Sequence, residues 1–323
     1  MVESNVHIMR PGVFHSRRSE IRDRYFLIKD TFWDPSSLEL GQDVQDWLTR
    51  TSEIERKVLS TVLASFIALG GLVHENIVQR FSKEVPLSDI QIFYGFQAVM
   101  EKVHLVSYRM ASSLLVESDP RLAALNTPAL CCAAGQSKVE WATRWYKDSS
   151  ASLALRLVAF SCVEGIFTSA GIAAVLWIKR LGKMSGMCEM MDRVARDKER
   201  STSFACLVLR CLDVAPCELE VRRVVAEAVE LELAFATDAC YPLFLGLKPR
   251  DLSRHVQYTA NSVLAQMGLP PLYDRAYPLV HTRVAPSLYR PTIYDKRSLD
   301  RERPVIIDNC GSQALRSASA FGY

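Results

Sequence analysis

The sequence predicts an all-α protein, a bundle of long helices with extended termini. Three observations predict it. Apolar residues recur at helical spacing through several long segments. Capping boxes, Ser52-x-x-Glu55 and Ser88-x-x-Gln91, stand where two of these segments open. Alternating β-branched runs bounded by hairpin turns are absent. In chain order the spacing predicts helices near 52–82, 88–116, 152–181, 185–212 and 217–242, and a shorter one over 249–268. Gly182 falls between the third and fourth, as a helix stop. Residues 1–30 carry charges, a proline and little periodicity, and read as an N-terminal segment. Residues 31–275 read as one bundle. After Gly268-Leu269-Pro270-Pro271, prolines recur at 278, 286, 291 and 304, so 276–323 is expected to be an extended tail.

The chain has 323 residues, 49% of them hydrophobic, enough to bury a large core. It carries 39 basic and 36 acidic residues, a net charge of +3, with the two signs interspersed. That balance lacks the basic face a nucleic-acid partner requires. The nine cysteines form no C-x-x-C pair and no zinc-spaced group with histidine. They read as reduced, buried thiols of a cytoplasmic protein. The opening residues, MVESNVHIMRPGVFHSRR, contain no apolar h-region, so no signal peptide is expected. Leu157 to Ile178 is almost continuously apolar and long enough to cross a bilayer, with Glu164 at its middle. No other segment suggests a membrane protein, so this one is read as a helix buried all round in the bundle. Glu164 is then a carboxylate inside a core, and it requires a partner.

A second carboxylate stands out in Glu101-Lys102-Val103-His104, where an E-x-x-H places Glu101 and His104 on one helix face. Four-helix carboxylate-bridged metal sites combine two lone carboxylates with two E-x-x-H pairs, all pointing inward. Two iron ions need hard oxygen ligands, some bridging, and a nitrogen each. The chain offers one E-x-x-H and one lone carboxylate.

At these residues the sequence resembles the small subunit of class I ribonucleotide reductase. Phe66 to Phe81, with Gly71-Leu72-Val73-His74-Glu75-Asn76, is similar to that family's first metal-ligand helix. Glu101-x-x-His104-x-x-x-Tyr108 is similar to the second, in which the tyrosine bears the radical. Val163-Glu164-Gly165-Ile166-Phe167 is similar to the third. Arg196-Asp197 followed by Ser203-Phe204-Ala205 frames the fourth. The pattern runs from Thr51 to about Leu269, and positions 70, 101, 164 and 198 follow the family spacing of 31, 63 and 34 residues. The resemblance implies a ferritin-like helical bundle, a role in deoxyribonucleotide synthesis, an iron cofactor and a large catalytic partner subunit.

The same comparison exposes departures. Where the family has its first aspartate ligand, this chain has Gly70; where it has a Glu and a His on the fourth helix, this chain has Lys198 and Ser201. Glu101, His104 and Glu164 remain, enough to hold one ion weakly but not a well-formed pair. Iron is therefore expected to be absent or incompletely bound. His74 lies one turn beyond Gly70, and Glu199 points about 100° away from Lys198, so neither is placed to substitute. A Lys198 ammonium between Glu101 and Glu164 would instead replace the ion's charge. Trp33, Asp197 and His104 occupy the family's radical-relay positions and Tyr108 its radical-tyrosine position. The chain is expected to be a non-radical partner of a complete small subunit, or to pair with itself. An active subunit with an unusual centre and a regulatory binding protein on the same fold are the alternatives. Thr292 to Arg297 resembles the segment before the family's large-subunit docking tail, but the end, Ser317 to Tyr323, has aromatics and no acid. Between Lys29 and Phe32 the chain is shorter than the family, which carries an extra helical stretch there.

Overall fold

A computed structural model of the chain describes residues 18–85, 87–118, 132–240, 249–274, 276 and 279. The segments Thr292–Arg297 and Ser317–Tyr323, and most of the 276–323 tail, lie outside the described residues. The described elements are all helical. They are α1 (Arg18–Lys29), α2 (Gly41–Thr49), α3 (Glu53–Asn76), α4 (Ser82–Glu84), α5 (Ser88–Ser118), α6 (Ala133–Lys147) and α7 (Leu153–Ser161). α8 (Ser169–Arg180), α9 (Ser185–Arg210), α10 (Glu218–Phe235) and α11 (Pro249–Gln266) complete the order. Single π-turns at Ile77–Phe81, Cys162–Ile166 and Ala236–Cys240 extend α3, α7 and α10.

Sequence expectation and structure differ at several points. α1 forms within the 1–30 segment and packs on α5, its one apolar stripe being too short to read as periodicity. α2 and α6 also lacked a sequence reading. The Ser52–Glu55 box forms in full, the Ser52 hydroxyl accepting from Glu55 N–H and the Glu55 carboxylate from Ser52 N–H. The Ser88–Gln91 box does not form. Ser88 is already helical, and the Gln91 amide donates to the Ser82 carbonyl instead. Gly182 is the stop expected: its φ of +67° lets Lys183 N–H reach back to the Ile178 carbonyl.

The apolar run 152–181 is one length of core, as 94% of its most apolar window is buried. It is not one helix. It breaks at Phe167-Thr168, between the π-turn and α8. A fully buried ion pair closes the break. Lys138 Nζ donates to the free Phe167 carbonyl (2.7 Å) and pairs with Glu232 (2.6 Å). Glu232 Oε1 in turn accepts from Ala170 N–H at the start of α8. Glu53–Glu84 is also apolar and long enough to span a membrane, contrary to the expectation of one such segment, and 56% of its window is buried.

α2 anchors the start of α9. The buried Asp43 carboxylate accepts from the N–H groups of Gly186 and Met187, and Asp46 from Met184 N–H. Gly186 is required there, since a Cβ would lie 2.4 Å from the Glu39 carbonyl oxygen. Replacing Asp43 with Ala would strand two buried N–H groups at a helix N-terminus. The expected loss is about 2–4 kcal/mol, seen as a lower urea midpoint at unchanged m-value.

Candidate metal centre

α5 contributes Gln97, Glu101, His104 and Tyr108, spaced four, three and four residues apart and all buried, so one face of the helix points inward. The π-turn Cys162–Ile166 contributes Glu164, and α9 contributes Asp197, Lys198 and Ser201. Gly70 is buried on α3, and a Cβ built there meets nothing within 4 Å.

At the centre is Lys198. Its ammonium lies 2.8 Å from both Glu101 carboxylate oxygens and 2.9 Å from Glu164 Oε1. Both carboxylates are sealed from solvent. Burial would raise the Glu101 carboxyl, but the ammonium and the neighbouring His104 outweigh it and hold it at about 2. Glu164 goes the other way. Its burial and the Glu101 charge prevail over Lys198 and push it up to about 7. Burial disfavours the Lys198 charge, yet the two carboxylates more than reverse this and raise it. Gln97 was missed from the sequence, although it sits one turn before Glu101. Its amide nitrogen approaches Glu164 Oε2 at 3.4 Å.

A second set joins at His104. Its Nε2 lies 3.0 Å from Asp197 Oδ2, which also accepts from Trp33 Nε1 at 2.9 Å. Arg200 donates to the other Asp197 oxygen, and the Trp33 ring stacks on His104 with centroids 5.9 Å apart. Burial disfavours the imidazolium, but Glu101 and the Asp197 hydrogen bond raise His104 to about 8. Its Nδ1 has no hydrogen bond and lies 3.6 Å from Glu101 Oε2. The Tyr108 ring sits 6.4 Å from His104, and burial raises its phenol.

The structure thus brings together Glu101, His104, Glu164, Lys198, Asp197, Trp33 and Tyr108. Among the described residues no hydrogen bond or ion pair links His74 or Glu199 to Lys198, Glu101 or Glu164. Glu199 lines a cleft of about 40 Å³ that reaches Glu164 and Lys198. Burial pushes the Glu199 carboxyl up to about 7.

A pair of metal ions needs several carboxylates and an imidazole for each ion. Around Lys198 stand two carboxylates, Glu101 and Glu164, and one imidazole; the third carboxylate, Asp197, is taken up by His104, Trp33 and Arg200, and an ammonium fills the space between the first two. The residues present do not fit a metal pair.

An all-helical bundle with inward carboxylates on α5 and the α7 π-turn defines a ferritin-like protein. Residues 12–278 match the family model described as ribonucleotide reductase, small chain. The chain is 31% identical over 319 residues to ribonucleoside-diphosphate reductase small chain 1 of Saccharomyces cerevisiae, covering 97% of this chain and 78% of that one. It is 32% identical over 266 residues to the Neurospora crassa small chain, covering 82% of this chain but 65% of that relative. The human subunit M2 is 31% identical, with 81% and 67% covered. The fold is similar to the ribonucleotide reductase Rnr4 homodimer from Saccharomyces cerevisiae, with a TM-score of 0.72 at 23% identity over 86% of this chain and 90% of that one. It is likewise similar to the dimanganese(II)-NrdF of Streptococcus sanguinis, with a TM-score of 0.69 at 19% identity, 84% and 94% being covered. The chain belongs to the ribonucleotide reductase small chain family.

Replacing Lys198 with Met should leave two buried carboxylates facing each other and destabilise the fold by about 3–5 kcal/mol in chemical denaturation. The triple variant K198M/E101Q/E164Q, in which no charge is left unpaired between these helices, should recover most of that loss. A K198M protein as stable as the parent would show that the ammonium does not balance the carboxylates.

Proposed function

We propose that this chain serves ribonucleotide reduction as a small-chain subunit that does not generate the radical itself. It would pair with a complete small chain, or with a copy of itself, and stabilise that partner or help it acquire metal. The observation that carries this reading is the Lys198 ammonium bonded to Glu101 and Glu164. A fixed cation there supplies the charge that holds the inward carboxylates together, so the bundle needs no metal to fold. We place the protein in the cytoplasm. Docking on a large catalytic subunit would fall to the C-terminal tail.

The hydrogen-bonded row Trp33–Asp197–His104, with Tyr108 beside it, favours a second reading, an active subunit with an unusual centre. The two readings separate in one measurement. Protein loaded with Fe(II) and oxygen is assayed for bound iron and for a tyrosyl radical by electron paramagnetic resonance. The non-radical reading expects no metal pair and no radical from the chain alone. It also expects the chain to co-purify with a complete small chain after co-expression. About two irons per chain with a tyrosyl signal would replace it with the active reading.

The variant G70D/K198E/S201H restores the family's ligand types, and the space at Gly70 admits the new side chain. It should bind iron where the parent does not, read as iron per chain by elemental analysis.

A further inference from the structure

A cavity of about 20 Å³ lies between α3, α6 and α7. Much of its wall is apolar, with Val73 from α3, Ala142 from α6 and Phe160 from α7. Its polar wall is Asn76, Trp145 and Arg156, one residue from each of the same helices. Asn76 and Trp145 are half-buried, so the cavity reaches the surface between α3 and α6.

Two of these polar groups are donors without acceptors. Arg156 is 8% exposed, and its Nη1 has no hydrogen-bond partner among the described residues. Its other nitrogens are engaged: Nε donates to the Ala151 carbonyl at 3.2 Å, and Nη2 to Glu84 at 2.5 Å. Trp145 Nε1 is likewise buried and unpartnered, and its ring packs against Trp141 with centroids 5.9 Å apart. Buried polar groups are nearly always paired, and an unpaired charged donor is the costliest kind. Both unpaired donors here belong to side chains of one cavity wall.

Charge decides what the cavity admits. Arg80 and Arg156 share one carboxylate, Arg80 Nε donating to Glu84 Oε1 at 2.6 Å and Arg156 Nη2 to Oε2. Burial would raise the Glu84 carboxyl, but the two guanidiniums outweigh it and lower it, so the acid stays ionised. Two cations against one anion leave a positive charge over. Asp148 also feels Arg156, but it accepts from Ser150 and Ala151 and is not part of the wall. A cavity of this size has room for one small species. Sulfate or phosphate needs more space and more donors than the wall presents. A water fits by size, but it has to find acceptors for two protons in a wall that offers mainly donors.

We propose that this cavity binds one monovalent anion of halide size, chloride foremost, held by the Arg156 guanidinium and the Trp145 indole N–H. The anion balances the surplus charge of Arg80 and Arg156 and joins α3, α6 and α7 at the level of Val163, which lines the cavity and precedes Glu164 on the π-turn. The site is separate from the Lys198 cluster and holds under either reading of that cluster.

Two measurements on the full chain test this. Crystals grown in sodium bromide should show an anomalous peak within hydrogen-bonding reach of both Arg156 Nη1 and Trp145 Nε1. In solution, replacing gluconate by chloride at constant ionic strength should raise the melting temperature by about 2 °C for each tenfold increase in chloride once the site is mostly filled. Trp145→Phe removes the indole N–H and keeps an aromatic ring, and it should flatten that dependence whatever its own starting stability. A water at this position without anomalous signal, or bromide bound only elsewhere, overturns the proposal. So does a chloride dependence that W145F leaves unchanged, which is general salt action. A bromide peak at the site with no chloride dependence of melting marks an adventitious ion only, and also overturns it.

Discussion

Everything around the site depends on one buried ammonium. Two carboxylates, on α5 and on the α7 π-turn, face each other where water cannot screen them. Either alone would be expensive to bury, and together they would repel. Lys198 touches both, and His104 adds positive charge beside Glu101. The two acids shift in opposite directions. Burial and the Glu101 charge push the Glu164 carboxyl up, while Lys198 and His104 together overcome burial and hold Glu101 down.

Glu164 reaches this position because its helix is broken. A straight α-helix from 153 to 180 would carry its side chains past the centre at a fixed angle. The π-turn adds a residue and re-aims Glu164, and the interruption after it leaves backbone groups without helical partners. Lys138 and Glu232 take up those groups from α6 and α10. Among the described residues two buried lysines thus act in series: Lys138 closes the break, and Lys198 uses the geometry the break creates. At the far end of α9, Asp43 and Asp46 fix the helix that carries Asp197 and Lys198.

The row Trp33–Asp197–His104 stands beside a centre whose residues do not fit a metal pair. Its hydrogen bonds are buried and of ordinary length, and each has a structural consequence: they tie the segment before α2 to α9 and orient the imidazole on α5. Connectivity of this kind is compatible with a relay and equally with a brace.

The sequence by itself determined the helical class, most long helices to within a few residues, and the inward charged residues of the site. Periodicity and isolated charges in apolar runs are local signals, so Glu101, His104 and Glu164 could be read directly. The position of Lys198 rests on the family resemblance, and electrostatics then gives it Glu101 and Glu164 as partners. What it could not determine were features made by contacts distant in the chain. α1 and α6 are held by packing on α5 and α10 rather than by strong propensity of their own. The Ser88 box yielded to the Ser82 carbonyl. Gln97 looks like any surface amide until α5 is turned inward. The break before α8 depends on Lys138 and Glu232, residues that carry no local sign of their pairing. Tertiary structure decided these because a buried polar group takes whichever partner the folded chain brings within reach.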